Sequence, residues 1–192
     1  GEQHDVDQSI KNSAIIAGIG GHIRANGEAV LTAQNPIPDF GPYGQCSVVM
    51  LNCSTTDNSS TTMTNQINNA DATGVPLDYI PLPHNSIVGI EMYITRLETG
   101  GSSGTAGNYS YRRQQSCIRV DTDGAGTLVN FNTKNISKIG VNGTMAITTS
   151  AIDDLDGNPR CIISVNVSDR NNVSNAWSAI LYLHITQTAI AF

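Results

Sequence analysis

The sequence is short of charge and of rings, charged residues making up 14% and aromatic residues 5% of its 192 positions. No apolar run approaches the roughly 18 to 20 residues that carry a helix across a bilayer, and the first residues lack the charged-then-apolar layout of a secretory signal. There is no basic surplus, the formal net charge being −6. Nucleic-acid binding through the phosphate backbone is therefore not expected, because it needs cations that displace counterions. No C-x-x-C spacing offers a zinc or redox site, and His4, His22, His84 and His184 form no His-x-His or His-x-x-x-His pair. No G-x-S-x-G elbow supports a hydrolytic triad. What remains is rich in Gly, Ser, Thr and Asn, a mixture that suits short strands joined by polar turns rather than a helical bundle or a disordered tail.

The cysteines are Cys46, Cys53, Cys117 and Cys161. Cys46 and Cys53 bracket one predicted strand, where seven residue steps hold them roughly 23 Å apart on opposite faces, too far for a mutual disulfide. The expectation is four reduced, largely buried thiols, with a Cys117 to Cys161 bridge as the alternative. The N-x-S/T sequons that begin at Asn52, Asn58, Asn108, Asn135, Asn142, Asn166 and Asn172 follow from a composition this rich in Asn, Ser and Thr, and several fall inside predicted strands.

Along the chain, residues 1–12 read as a flexible lead-in and 13–45 as a Gly/Ala-rich connecting segment. In that segment the spacing predicts two short strands around an Ala25-Asn26-Gly27 turn, Asn-Gly being a tight-hairpin signal. Pro36, Pro38 and Pro42 mark the boundary of a main domain, 46–192. Its predicted strands cover Cys46 to Cys53, Ser86 to Glu98, Tyr109 to Asp121, Thr127 to Phe131, Ile136 to Val141, Thr144 to Thr149, Arg160 to Ser168 and Trp177 to Thr188. Thr99 to Asn108 reads as a Gly/Ser hairpin tip too loose to pack. Hairpin spacing without a helix predicts an all-β, antiparallel β-sandwich of jelly-roll-like form.

The last strand alternates most strictly. Trp177, Ala179, Leu181, Leu183 and Ile185 fall on one face; Ser178, Ile180, Tyr182, His184 and Thr186 fall on the other. The second face is only half polar, and the chain continues into apolar Ala189 to Phe192. Neighbouring copies in a symmetric oligomer would cover Ile180, Tyr182, Ile190 and Phe192.

Candidate chemistry is sparse. Asp121-Thr122-Asp123-Gly124 and Asp153-Asp154-Leu155-Asp156-Gly157 do not complete a calcium loop, and Asp-Gly is an ordinary turn pair. No metal or other cofactor is expected, and loop acids are too unspecific to name a glycosidase pair. Tyr109, Tyr111, Arg112 and Arg113 are the candidate ligand-binding residues, since aromatic faces beside Arg donors suit sugar rings and acidic glycans. An exposed strand end with snorkelling arginines explains the same run. His184 is expected to be a packed or interface residue rather than a base.

From Val48 onward the order of motifs resembles the C-terminal head domain of bacteriophage tail fibre and tail spike proteins. Thr55-Thr56-Asp57 is followed by Leu82-Pro83-His84-Asn85-Ser86 and the long apolar strand Val88 to Leu97. The strand from Arg112 to Arg119, the Ile139-Gly140 step and the closing Trp177-Ser178-Ala179 continue that order. Upstream, Ala25-Asn26-Gly27 and Ala33-Gln34 are similar to the small-residue repeat that precedes such domains. The resemblance implies a homotrimeric head at the tip of a viral adhesion fibre, on the virion and outside the host, binding a host-surface glycan or protein. It implies no catalytic residues; from the lack of a long apolar run, no membrane insertion is expected. The alternatives are a purely structural trimerisation or decoration domain and an accessory domain of a polysaccharide-degrading spike.

Overall fold

The computed structural model describes residues 5–6, 14–17, 22–23, 28–33, 43–64, 79–153 and 159–187. These residues are all-β, with no helix among them. Strands β1 (Asp5–Val6) and β3 (His22–Ile23) form a small parallel pair. A large sheet contains β2 (Ala14–Ala17), β4 (Ala29–Ala33), β5 (Tyr43–Thr55), β8 (Ser86–Gly100), β9 (Tyr109–Val120), β10 (Gly126–Ile139) and β13 (Ser174–Gln187). A smaller sheet contains β6 (Thr61–Thr62), β7 (Ile80–Pro81), β11 (Thr144–Asp153) and β12 (Pro159–Ser168).

The large sheet runs β10-β9-β8-β13-β5-β4-β2. Strands β8, β9 and β10 follow one another as a meander, and β13 returns beside β8 after the chain has passed through β11 and β12. The order β13-β8-β9-β10 is that of a Greek key. A jelly roll is built from two such keys, of which this order supplies one.

Strand β13 lies at the centre, paired antiparallel with β5 on one side and β8 on the other over nearly its whole length. Period-two alternation then places Trp177, Ala179, Leu181, Leu183 and Ile185 in the interior, as the pattern predicts. Beside them stand Val88, Ile90, Met92 and Ile94 of β8, and across the gap Ile163, Val165 and Val167 of β12. Each fully buried aliphatic side chain of this kind stabilises the fold by about 1.5 to 3 kcal/mol. The proline-bounded segment adds Ile80 and Leu82, both buried.

The motifs that carry the family resemblance fasten this core. The Thr55 hydroxyl accepts the Trp177 indole N–H at 3.0 Å and an Asn175 amide N–H at 3.2 Å. A Cβ at Gly143 would stand 2.5 Å from the Trp177 ring, so only glycine lets that ring seat. At the Leu82 to Ser86 step, Asn85 adopts φ 50°, the Thr122 hydroxyl donates to its side chain at 2.8 Å, and the Ser86 hydroxyl donates to the Pro83 carbonyl at 2.6 Å.

Two expectations change, while the Ala25-Asn26-Gly27 turn lies outside the described residues; the strand that follows it, β4, pairs with β2 in parallel. Thr127 to Phe131 and Ile136 to Ile139 belong to one strand, β10, whose register shifts at Leu128/Asn130 and Asn135/Ser137 absorb the polar break between them, while Gly140 and Val141 lie beyond its end. The Gly/Ser tip after β8 is solvent-exposed yet packed through its backbone. The Ser103 N–H donates to the Asn172 carbonyl at 3.1 Å, and the Thr105 N–H donates to the Glu98 carboxylate. Gly101, at φ 98°, lies so close to the Asn172 backbone that a Cβ would overlap it.

All four cysteines are free thiols. Cys161 is fully buried, whereas Cys46, Cys53 and Cys117 are half-buried. Burial pushes the Cys53 and Cys161 thiols up to about 11.

Candidate recognition face

Strand β9 decides which members of the Tyr109 to Arg113 run can meet a ligand. Its odd-numbered residues point to the outer side of the large sheet, and its even-numbered residues, Ser110, Arg112, Gln114 and Ser116, point into the interior and are buried. Tyr109, Tyr111 and Arg113 therefore share one face, while Arg112 is turned away from them. Tyr109 sits at the strand end, its hydroxyl 3.0 Å from that of Ser137.

The register brings in the outer residues of β8 and β13. Tyr93 lies opposite Arg113 on one side and Ile180 on the other; Glu91 lies opposite Tyr182. The Tyr93 ring is 6.1 Å from that of Tyr111, inclined at 31°, and 6.2 Å from that of Tyr182, edge-on at 88°. The Arg113 guanidinium carbon stands 5.9 Å from the Tyr93 ring centre, within cation–π range, and Arg113 Nε forms an ion pair with Glu91. The Tyr93 hydroxyl donates to the same carboxylate at 2.7 Å. That hydrogen bond is the main reason the Glu91 carboxyl is held below its usual range and the Tyr93 phenol above its own. Arg113 and Glu91 keep 38% and 26% of their side-chain surface open, so the charged pair stays within reach of solvent.

The face thus holds three neighbouring phenol rings, a guanidinium whose charge is only partly taken up, and a carboxylate that accepts hydrogen bonds. Ring faces receive the C–H groups of a sugar, and the ion pair can exchange hydrogen bonds with hydroxyl or carboxylate substituents. Ile180 and Tyr182, singled out in the sequence as interface residues, lie on this same face, half-buried, whereas Ile190 and Phe192 fall outside the described residues. His184 is exposed on the face as well. Tyr93 and Glu91 were not singled out, although alternation along β8 already set both on its outer side; what joins them to Tyr111 and Arg113 is the pairing of β8 with β9.

The Asp121 carboxylate accepts the Ala125 N–H at 2.9 Å and closes its own turn, and Asp154 to Gly157 lie outside the described residues. Among the described residues no group of three or more His, Cys, Asp or Glu side chains is placed to hold a metal ion.

No family model and no curated protein matches the sequence. Among solved structures the chain is similar to the Acinetobacter baumannii phage AM24 tailspike protein, at 8% identity and a TM-score of 0.37. The likeness covers 75% of this chain but 27% of the tailspike, so the chain spans much less than two thirds of that protein. Agreement at this level carries no argument about what the chain binds.

Proposed function

We propose that the chain is a non-catalytic receptor-recognition domain of a bacteriophage tail fibre or tail spike, displayed on the virion as a homotrimer and binding a glycan of the host surface. The observation that carries this reading is the outer face of the large sheet, where Tyr93, Tyr111 and Tyr182 are in ring contact beside the Arg113–Glu91 pair. The virion assignment is supported by the motif order of the sequence. In this reading the β8 and β9 side of the face meets the sugar. The apolar β5 and β13 side, where Ile180 lies opposite Met50 and Tyr182 opposite Val48, meets the neighbouring copies. No cofactor, nucleic acid or membrane insertion enters.

Binding of the wild-type chain and of a Tyr93→Ala/Tyr111→Ala double variant to a broad glycan panel and to host cells tests the reading. The expected result is wild-type binding that weakens about tenfold or more in the variant, the scale of losing well-placed aromatic contacts. No wild-type signal on either panel would replace it with a structural role, and release of reducing sugar would replace it with an enzymatic one.

The structural reading, a trimerisation domain without a ligand, has one observation in its favour. Leu97, Val129, Ile136, Ile139 and Val141 are each about half exposed or more in the single chain, which suits burial against other copies.

A further inference from the structure

The interior holds a cluster of charges that the recognition face does not use. Arg96 and Glu98 follow Ile94 on the inward side of β8, and Asp169 comes from the end of β12. Arg96 Nη1 donates to Asp169 at 2.6 Å and Nη2 to Glu98 at 2.8 Å, with all three side chains shut off from solvent. Arg170, 47% exposed, stands 3.6 Å from both acids. Arg112 enters from β9: Arg96 lies opposite Ser110, which puts Arg112, two residues on, diagonal to Arg96 on the same inward face.

Arg112 is the anomaly. It is 6% exposed, yet its Nε and Nη2 make no hydrogen bond, and neither do Arg96 Nε or the Ser110 hydroxyl, all of them buried. Nε and Nη2 form the side-on edge of a guanidinium, the edge that takes two oxygens of one carboxylate or oxyanion. Among the described residues the charges do not close either, since Arg96, Arg112 and Arg170 stand against Glu98 and Asp169. A buried cation with no partner is strongly destabilising, and each orphaned donor adds its own desolvation cost. Burial, then the Arg96 charge, weakens the hold of Arg112 on its proton, and Asp169 opposes both. Its cross-strand partners, Ile94 and Asn135, carry no negative charge.

We infer that the interior between β8 and β9 binds one small oxyanion, held side-on by Arg112 with Arg96 Nε and the Ser110 hydroxyl as further donors. One negative charge there balances the cluster and satisfies four orphaned groups. The two Arg112 nitrogens are closed to solvent, so the ion is taken up as the two sheets come together and acts as a structural part of the fold.

The test refolds the full chain from urea in sodium phosphate, sodium sulfate or sodium acetate against sodium chloride at matched ionic strength, and follows thermal unfolding. The wild-type Tm rises with the logarithm of oxyanion concentration once this exceeds Kd, by roughly 5 to 10 °C at a hundredfold excess over Kd for a chain of this size. Arg112→Met keeps only the smaller, roughly linear rise that excluded salts give any protein. Inorganic phosphate and sulfate acting without acetate would identify a tetrahedral ion, and acetate acting as well a carboxylate-sized site. Equal salt responses in wild type and variant, or a wild-type Tm no higher in oxyanion than in sodium chloride, would overturn the inference. Because Arg112→Met could fail to fold, a second measurement stands on the wild type alone: crystals of chain refolded in selenate show an anomalous selenium peak beside Arg112, and a structure without that peak refutes the site.

Discussion

The interior of this protein has two ends built on opposite principles from the same strands. Toward the start of β8 and the end of β9 it is aliphatic, with Val88, Ile90, Met92 and Ile94 beside Ile118 and Val120. Toward the other end the same inward rows carry Arg96, Glu98, Ser110 and Arg112, equally buried. The aliphatic end tolerates small changes in side-chain direction, because dispersion and water exclusion are not directional. The charged end does not, because a buried ion pair is held only while every charge keeps its partner. That end is also where the Gly/Ser tip and the Asn172 turn are fastened, through the Glu98 carboxylate and the Asn172 carbonyl. The contrast is between a region that supplies stability and one that fixes where two loops sit.

Substitutions can break that contrast. The largest effect is expected for Arg96→Met, which leaves Glu98 and Asp169 buried without their cation and should lower stability by about 3 to 5 kcal/mol. Urea unfolding measures it, and Arg96→Met combined with Glu98→Gln and Asp169→Asn should recover much of the loss. A triple variant as weak as the single one would show that packing rather than charge is at stake. Next comes Leu181→Ala at the aliphatic end, with an expected loss of about 3 kcal/mol. Here the tip loop should keep its protection from limited proteolysis, whereas Arg96→Met exposes it. Smallest is Thr55→Val, which removes the acceptor of the Trp177 and Asn175 N–H groups and should cost about 1 to 2 kcal/mol with no change in the denaturant slope.

Much of the aliphatic end was legible in the sequence. Strict alternation from Trp177 to Ile185, from Val88 to Ile94 and from Cys161 to Val167 names its inward residues, because strand periodicity is a local property. The charged end was not legible. Arg96 and Arg112 stand at inward positions by the same count, yet polar side chains there read as surface until Asp169, 73 residues from Arg96, is seen to close the pair. The candidate recognition face was half legible: Tyr111 and Arg113 were singled out, Arg112 was grouped with them although alternation turns it inward, and Tyr93 and Glu91 were passed over.

By itself, the sequence determined an all-β chain, the inward rows of its long strands and a central role for the stretch from Trp177 onward. Only the tertiary structure decided that β13 lies between β5 and β8, that β2 meets β4 in parallel, and that Tyr93 joins Tyr111 and Tyr182 on one face. The reason is the range of the interactions. Alternation and turn chemistry act over a few residues, whereas register, crossover and the pairing of buried charges depend on which distant strands become neighbours.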